Sequence, residues 1–182
     1  MNWKALVYPR LPSWGAFLHG KKRKGLFLRF FPGDALVCQI EQDRIFWEKF
    51  LRPASGGVFA EYGAGDGVIG SHTLGLELRH GWQGTLWEPS AKARERAKQV
   101  RRCRVLASGK DGESENGVDL LAMHRPAEFP GVWEELATGR IKPRWVVVEN
   151  REPNPQWAKS LTRCGFKMRF FIDDDEYFER ES

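Results

Sequence analysis

Two periods of apolar residues divide most of this chain. Short apolar runs alternate with stretches whose apolar residues recur every three or four positions, the patterns of strand and helix respectively. Val58–Tyr62 predicts a strand that ends in a glycine-rich turn. Ser71–His80 predicts a helix with Leu74 and Leu78 on one face and Gly81 as its stop. Thr85–Glu88 predicts a second strand, and Ala91–Arg101 a charged helix whose apolar stripe is Ala93, Ala97 and Val100. Arg104–Ala107 and Val118–Met123 predict the third and fourth strands, separated by a polar loop over Gly109–Gly117. A short helix is expected around Val132–Ala137. Trp145–Glu149 is the fifth strand, and its Val146-Val147-Val148 run suits a strand covered on both faces. Asn154 and Pro155 open the next helix, Trp157, Leu161 and Cys164 line one face, and Gly165 ends it. Phe166–Ile172 and Glu176–Phe178, joined by a turn at Asp173–Asp175, predict a closing β-hairpin.

Strands alternating with helices need crossovers, so the expected fold is α/β with a mainly parallel sheet. The hairpin adds an antiparallel strand, which gives a Rossmann-like, seven-stranded sheet with a reversed last strand. Residues 1–40 break the alternation with Pro9, Pro12 and Pro32 and are dense in aromatics, among them Trp3, Trp14 and Phe27. A segment this apolar is expected to pack as a cover over a domain formed by residues 41–182. Gln39–Leu51 predicts a helix at the junction.

The length of 182 residues suits one domain, and 41% hydrophobic with 29% charged residues is a globular composition. The three cysteines, Cys38, Cys103 and Cys164, are far apart, which suggests neither a disulfide framework nor a zinc site. That usage, with no signal-like or membrane-spanning apolar run, leads to the expectation of a cytoplasmic protein. The net charge of +5 is densest at Lys21–Lys24, which favours an anionic small-molecule acceptor or leaves a solvated basic face. No nucleic-acid module signature accompanies the charge, so no specific nucleic-acid partner is expected. The oligomeric state is left open. Asp173-Asp174-Asp175 lacks the spacing of an oxygen-ligand metal site and is expected to be a charged turn, with no metal.

The chemistry concentrates where the first strand meets its turn, Glu61-Tyr62-Gly63-Ala64-Gly65-Asp66-Gly67. Glycines let backbone turn sharply and approach a ligand, and the helix that follows offers free amides to an anion. Ser71 and Thr73 can add hydroxyl donors for that anion, while Glu61 can receive an ammonium group. Glu88 at the end of the second strand can bind both hydroxyls of a ribose, and Pro89 opens the next helix. A ligand carrying a carboxylate, an ammonium group and a ribose fits this order of groups: S-adenosyl-L-methionine.

Four stretches, CQIEQD at 38–43, VFAEYGAGDG at 58–67, SHTL at 71–74 and GWQGTLWEP at 81–89, resemble the FkbM family of methyltransferases in order and character. The resemblance covers residues 38–104, with VVVEN at 146–150 again similar, and implies S-adenosyl-L-methionine binding and O-methylation of a sugar or natural-product hydroxyl. After the fourth strand the likeness lapses. Ala122-Met123-His124-Arg125-Pro126 stands where the family carries an acid-rich stretch. His124 is therefore the candidate general base, with Glu149 at the neighbouring strand end to orient it or the acceptor. Two other readings stay open. Gly65, Gly67 and Gly70 satisfy a GxGxxG pattern with Glu88 downstream, as in a nicotinamide-dependent oxidoreductase. The altered stretch after strand four is also compatible with a non-catalytic, methyltransferase-like binding domain.

Overall fold

A computed structural model describes residues 46–51, 56–107, 117–150, 155–172 and 174–181. The cover segment 1–40, its Lys21–Lys24 run, Gln42-Asp43, most of the 109–117 loop, Asn154 and Asp173 lie outside the described residues. Of the helix expected over Gln39–Leu51, the described part is a π-helical turn, Trp47–Leu51.

Seven strands form one sheet in the order β3-β2-β1-β4-β5-β7-β6. They are β1 (Val58–Tyr62), β2 (Gln83–Trp87), β3 (Arg104–Leu106), β4 (Leu120–Met123), β5 (Trp145–Glu149), β6 (Phe166–Ile172) and β7 (Asp175–Arg180). The helices are α1 (Leu74–His80), α2 (Ala91–Val100), α3 (Pro130–Ala137) and α4 (Pro155–Arg163). The pairs β1/β2, β2/β3, β1/β4 and β4/β5 are parallel, and β7 runs antiparallel to both β5 and β6. This is the expected Rossmann-like methyltransferase topology: a mainly parallel sheet with a reversed strand inserted beside β5.

The core lies on both faces of the sheet. Phe59, Leu86, Leu120, Trp145, Val147 and Tyr177 pack with Phe46 and Trp47 on one face. Ala60, Leu121, Met123, Val146, Val148 and Phe178 pack with Leu136 and Leu161 on the other. Every apolar residue of β4 and the valine run of β5 are fully enclosed, as central parallel strands must be. Gly84 in β2 is fixed by close approach, because a Cβ there would stand 2.0 Å from the carbonyl oxygen of Phe59.

Two elements differ from the sequence expectation for identifiable reasons. β7 extends to Arg180, beyond the apolar pair Tyr177-Phe178 that marks it in the sequence, because β5 and β6 pair with it on both sides. The first helix begins at Leu74 rather than Ser71, since the polar groups of residues 71–73 are drawn to Glu61.

Candidate functional site

β1 lies between β2 and β4, so successive connections leave it in opposite directions, and ligands of open α/β sheets bind at the carboxyl ends of strands beside such a switch point. Here the loops after β1 and β4 touch. The Gly63 amide donates to the Trp87 carbonyl at 2.7 Å, and the His124 amide to the Tyr62 carbonyl at 2.8 Å. A Cβ on Gly63 would stand 2.8 Å from the His124 carbonyl oxygen. Ala64 is buried next to it. Gly65 differs: its φ is +60° and nothing lies within 4 Å of a Cβ built on it, so backbone is open to an approaching ligand. Gly67 turns inward, its carbonyl accepting from Arg101 at 3.1 Å.

Glu61 is the centre of a buried ionic network. It is 0% exposed. One carboxylate oxygen accepts from the His72 amide at 3.0 Å and from His124 Nε2 at 2.8 Å. The other accepts from the Ser71 hydroxyl at 2.9 Å and from the Thr73 hydroxyl, with Arg101 at 3.8 Å. Arg101 in turn bonds Ser71, Thr73 and the carboxylate of Glu77, which also receives the amides of Arg102 and Cys103. Burial alone would raise the carboxyl pKa of Glu61. The hydrogen bond and charge of His124, then the charge of Arg101, overcome it and hold the group well below the usual carboxylate range.

Three of the expected cofactor-binding residues contact one another here. The hydroxyls of Ser71 and Thr73 both donate to Glu61. The short α1, seven residues long, has no side-chain hydrogen bond at its Thr73 cap. Glu61 itself is enclosed, and its oxygens are shared among four hydrogen-bond donors.

His124 sits at the end of β4 and bridges two acids, Glu61 at 2.8 Å through Nε2 and Glu149 at 3.2 Å through Nδ1. The structure thus brings together the two residues singled out as catalytic. Ionised carboxylates only accept, so both ring nitrogens must donate. Burial opposes the charged ring, but the bonds to Glu149 and Glu61 outweigh it and raise the pKa of His124 to about 9. An imidazolium with both N–H groups committed has no lone pair for a proton. In this structure His124, the expected base, bridges the two acids.

Glu88 follows β2 and is buried. It accepts the Gly65 amide and the Ser90 amide, each at 2.8 Å. Pro89 leads from it into α2, which Ser90 caps. Arg125, half exposed, lies 3.5 Å from Glu88 and 3.0 Å from Glu128. Its φ of +51° makes it the one non-glycine residue in left-handed backbone among those described, and it precedes a proline, where that region is further disfavoured. Such strain collects at ligand sites.

Arg101, Glu77, His72, Asp175 and Arg125 were not marked as site residues by the sequence. Arg101 and Glu77 were discernible from spacing: Arg101 follows the buried Ala97 by four residues and Glu77 follows Leu74 by three. No group of histidine, cysteine and acidic residues among the described residues is arranged to hold a metal ion, and no described helix is long and apolar enough to cross a membrane.

No protein-family model and no curated protein matches the sequence. Solved structures do resemble the fold. A TehB-like SAM-dependent methyltransferase from Corynebacterium glutamicum superposes with a TM-score of 0.57 at 15% identity, covering 94% of this chain and 100% of that one. A methyltransferase from Pyrococcus furiosus gives 0.53 at 18% identity, over 74% and 78% of the two chains. Sp1610 from Streptococcus pneumoniae, described as a candidate tRNA (m1A22) methyltransferase, gives 0.51 at 12% identity, over 72% and 67%. At these identities the likeness establishes the fold alone, a Rossmann-like α/β sheet that these methyltransferases share. Because a candidate tRNA-modifying protein shares it, the expected exclusion of nucleic acid has no support from the fold.

Proposed function

We propose that this protein binds S-adenosyl-L-methionine and transfers its methyl group to a hydroxyl of a sugar or natural-product-like acceptor. The observation that carries the reading is the pairing of Gly65 with Glu88: open, positive-φ backbone hydrogen-bonded to a carboxylate at the end of the next strand. A ribose reaching Glu88 exchanges for the Gly65 and Arg125 contacts, and Gly63, Ala64, Gly67 and Pro89 shape the walls through backbone. Glu61, Ser71 and Thr73 act one layer back by fixing the loop. The bound group would supply a sulfonium whose methyl is already reactive, so the work left to the chain is alignment, which in favourable systems is worth up to ~7–11 kcal/mol. The hydroxyl acceptor rests on the FkbM-like motifs.

Isothermal titration calorimetry tests the reading. S-adenosylmethionine and S-adenosylhomocysteine should bind, Glu88→Ala should weaken both strongly, and reduced nicotinamide dinucleotides should give no heat. Preferential binding of a nicotinamide dinucleotide would overturn it.

A further inference from the structure

Among the described residues, His72 is a buried titratable side chain that this reading leaves unused. It is 4% exposed, yet neither ring nitrogen forms a hydrogen bond. Its Nε2 lies 3.4 Å from Asp175 Oδ1, close enough for charge but not aligned for a hydrogen bond. The ring stacks on His124 with centroids 4.7 Å apart and planes 10° from parallel, and meets Tyr177 edge-on at 6.4 Å. A buried polar group without a partner costs ~1–3 kcal/mol, so an orphaned imidazole in a closed site calls for a cause. The two stacked rings are not equivalent. His124 has both nitrogens hydrogen-bonded to carboxylates, whereas His72 has neither.

We propose that His72, backed by Asp175, takes the acceptor's proton during methyl transfer. The assignment rests on the S-adenosyl-L-methionine reading above. His72 stands between the loop after β1 and the ends of β4 and β7, at the edge where ligands of this fold bind. Its ring nitrogen removes the hydroxyl proton as the acceptor oxygen donates an electron pair to the methyl carbon. The S–C bonding pair stays on sulfur, and the positive charge passes from sulfonium to the His72 imidazolium, which Asp175 opposes. The groups facing His72 are His124 of β4, itself held by Glu61 of β1 and Glu149 of β5, and Asp175 and Tyr177 of β7. His124, held between Glu61 and Glu149, acts as a positioning residue.

The test needs no knowledge of the acceptor. Sinefungin carries an amine-bearing carbon where S-adenosylmethionine carries its methylated sulfur, whereas S-adenosylhomocysteine carries no group there. Calorimetry of both ligands with the full chain compares what faces the transferring methyl. A His72 nitrogen with a free lone pair accepts an N–H of the sinefungin ammonium, so sinefungin should bind about tenfold more tightly than S-adenosylhomocysteine. That preference should vanish in His72→Phe and shrink in Asp175→Asn. No preference in the wild type, or an undiminished one in His72→Phe, would overturn the proposal. If neither ligand binds the wild type, the cofactor reading falls, and this proposal with it. Should the variants not fold, nitrogen-15 spectra of histidine-labelled wild type decide. Sinefungin should displace the His72 ring resonances further than S-adenosylhomocysteine does, and equal displacement counts against the proposal.

Discussion

Gly63 and His124 hold the loops after β1 and β4 in contact: a Cβ on Gly63 would approach the His124 carbonyl oxygen to 2.8 Å and its Cβ to 3.2 Å. Gly63 also has a φ of +77°. Gly63→Ala should therefore destabilise the fold by at least ~2 kcal/mol, the left-handed penalty of ~1–2 kcal/mol with the clash added. Gly65→Ala meets no neighbour and should cost only ~1–2 kcal/mol, yet it should abolish S-adenosylhomocysteine binding because the methyl fills the ligand's approach. Urea denaturation and calorimetry on the two variants separate these effects. Equal stability losses with equal retained binding would contradict the assignment of open and closed glycines.

The Arg101–Glu77 pair is almost wholly removed from solvent, with side chains 0% and 4% exposed. Removing one partner strands the other charge and typically costs ~3–5 kcal/mol. Arg101→Met should fall in that range, and should exceed Arg102→Met, whose side chain is exposed. If Arg101→Met stays within about 1 kcal/mol of the wild type by urea denaturation, the network is not carrying the loop.

Stability should decline on both sides of mildly acidic pH. The folded pKa of His124, about 9, exceeds its ordinary 6.5, so its contribution is complete below 6.5 and is lost as pH rises through about 9. Glu61 is shifted down from 4.5, so its contribution is complete above 4.5 and is lost as pH falls toward the lowered value. The two overlap fully between 4.5 and 6.5. Denaturation midpoints measured from pH 5 to 10 should fall on the alkaline limb, and His124→Gln should flatten that limb. An unchanged alkaline slope in the variant would refute the bridging cation.

Arg125 combines left-handed backbone with two partly exposed ion pairs. Exposed pairs are worth ~0–1 kcal/mol, and glycine relieves a backbone cost of ~1–2 kcal/mol. Arg125→Gly should stay within about 1 kcal/mol of the wild type and should tighten S-adenosylhomocysteine binding by uncovering Glu88. Arg125→Ala keeps the strain, loses the pairs and should be the less stable of the two. The reverse order in thermal melts would argue that Arg125 supports Glu88 rather than covers it.

The fold was legible because its strands are short apolar runs. Val58–Tyr62, Trp145–Glu149 and Phe166–Ile172 appear in the structure with the ends the sequence suggests. The partners within the site were not, since they are set by tertiary contacts between residues far apart in sequence. Glu61 stands before glycines, as a ligand-binding acid would, and nothing local discloses that His124, 63 positions on, closes over it. Likewise Ser71 and Thr73 read as ligand donors, and nothing local discloses that both hydroxyls donate to Glu61. Asp175 reads as one acid in a turn, and only the β5–β7 register sets it opposite Glu149.

That register bears on how the protein is made. During synthesis, β5 emerges well before β7, with the valines of Val146–Val148 forming an unpaired, apolar sheet edge of the sort that invites association with other chains. A chain halted before residue 175 already carries Glu61, His72, His124 and Glu149 but has neither the Asp175 carboxylate nor the strand that shields β5. The insertion of β7 thus closes the vulnerable edge and completes the ionic cluster in one event. A nascent chain passes from aggregation-prone to site-competent at that step, so variants that weaken the closing hairpin should lose solubility and site integrity together.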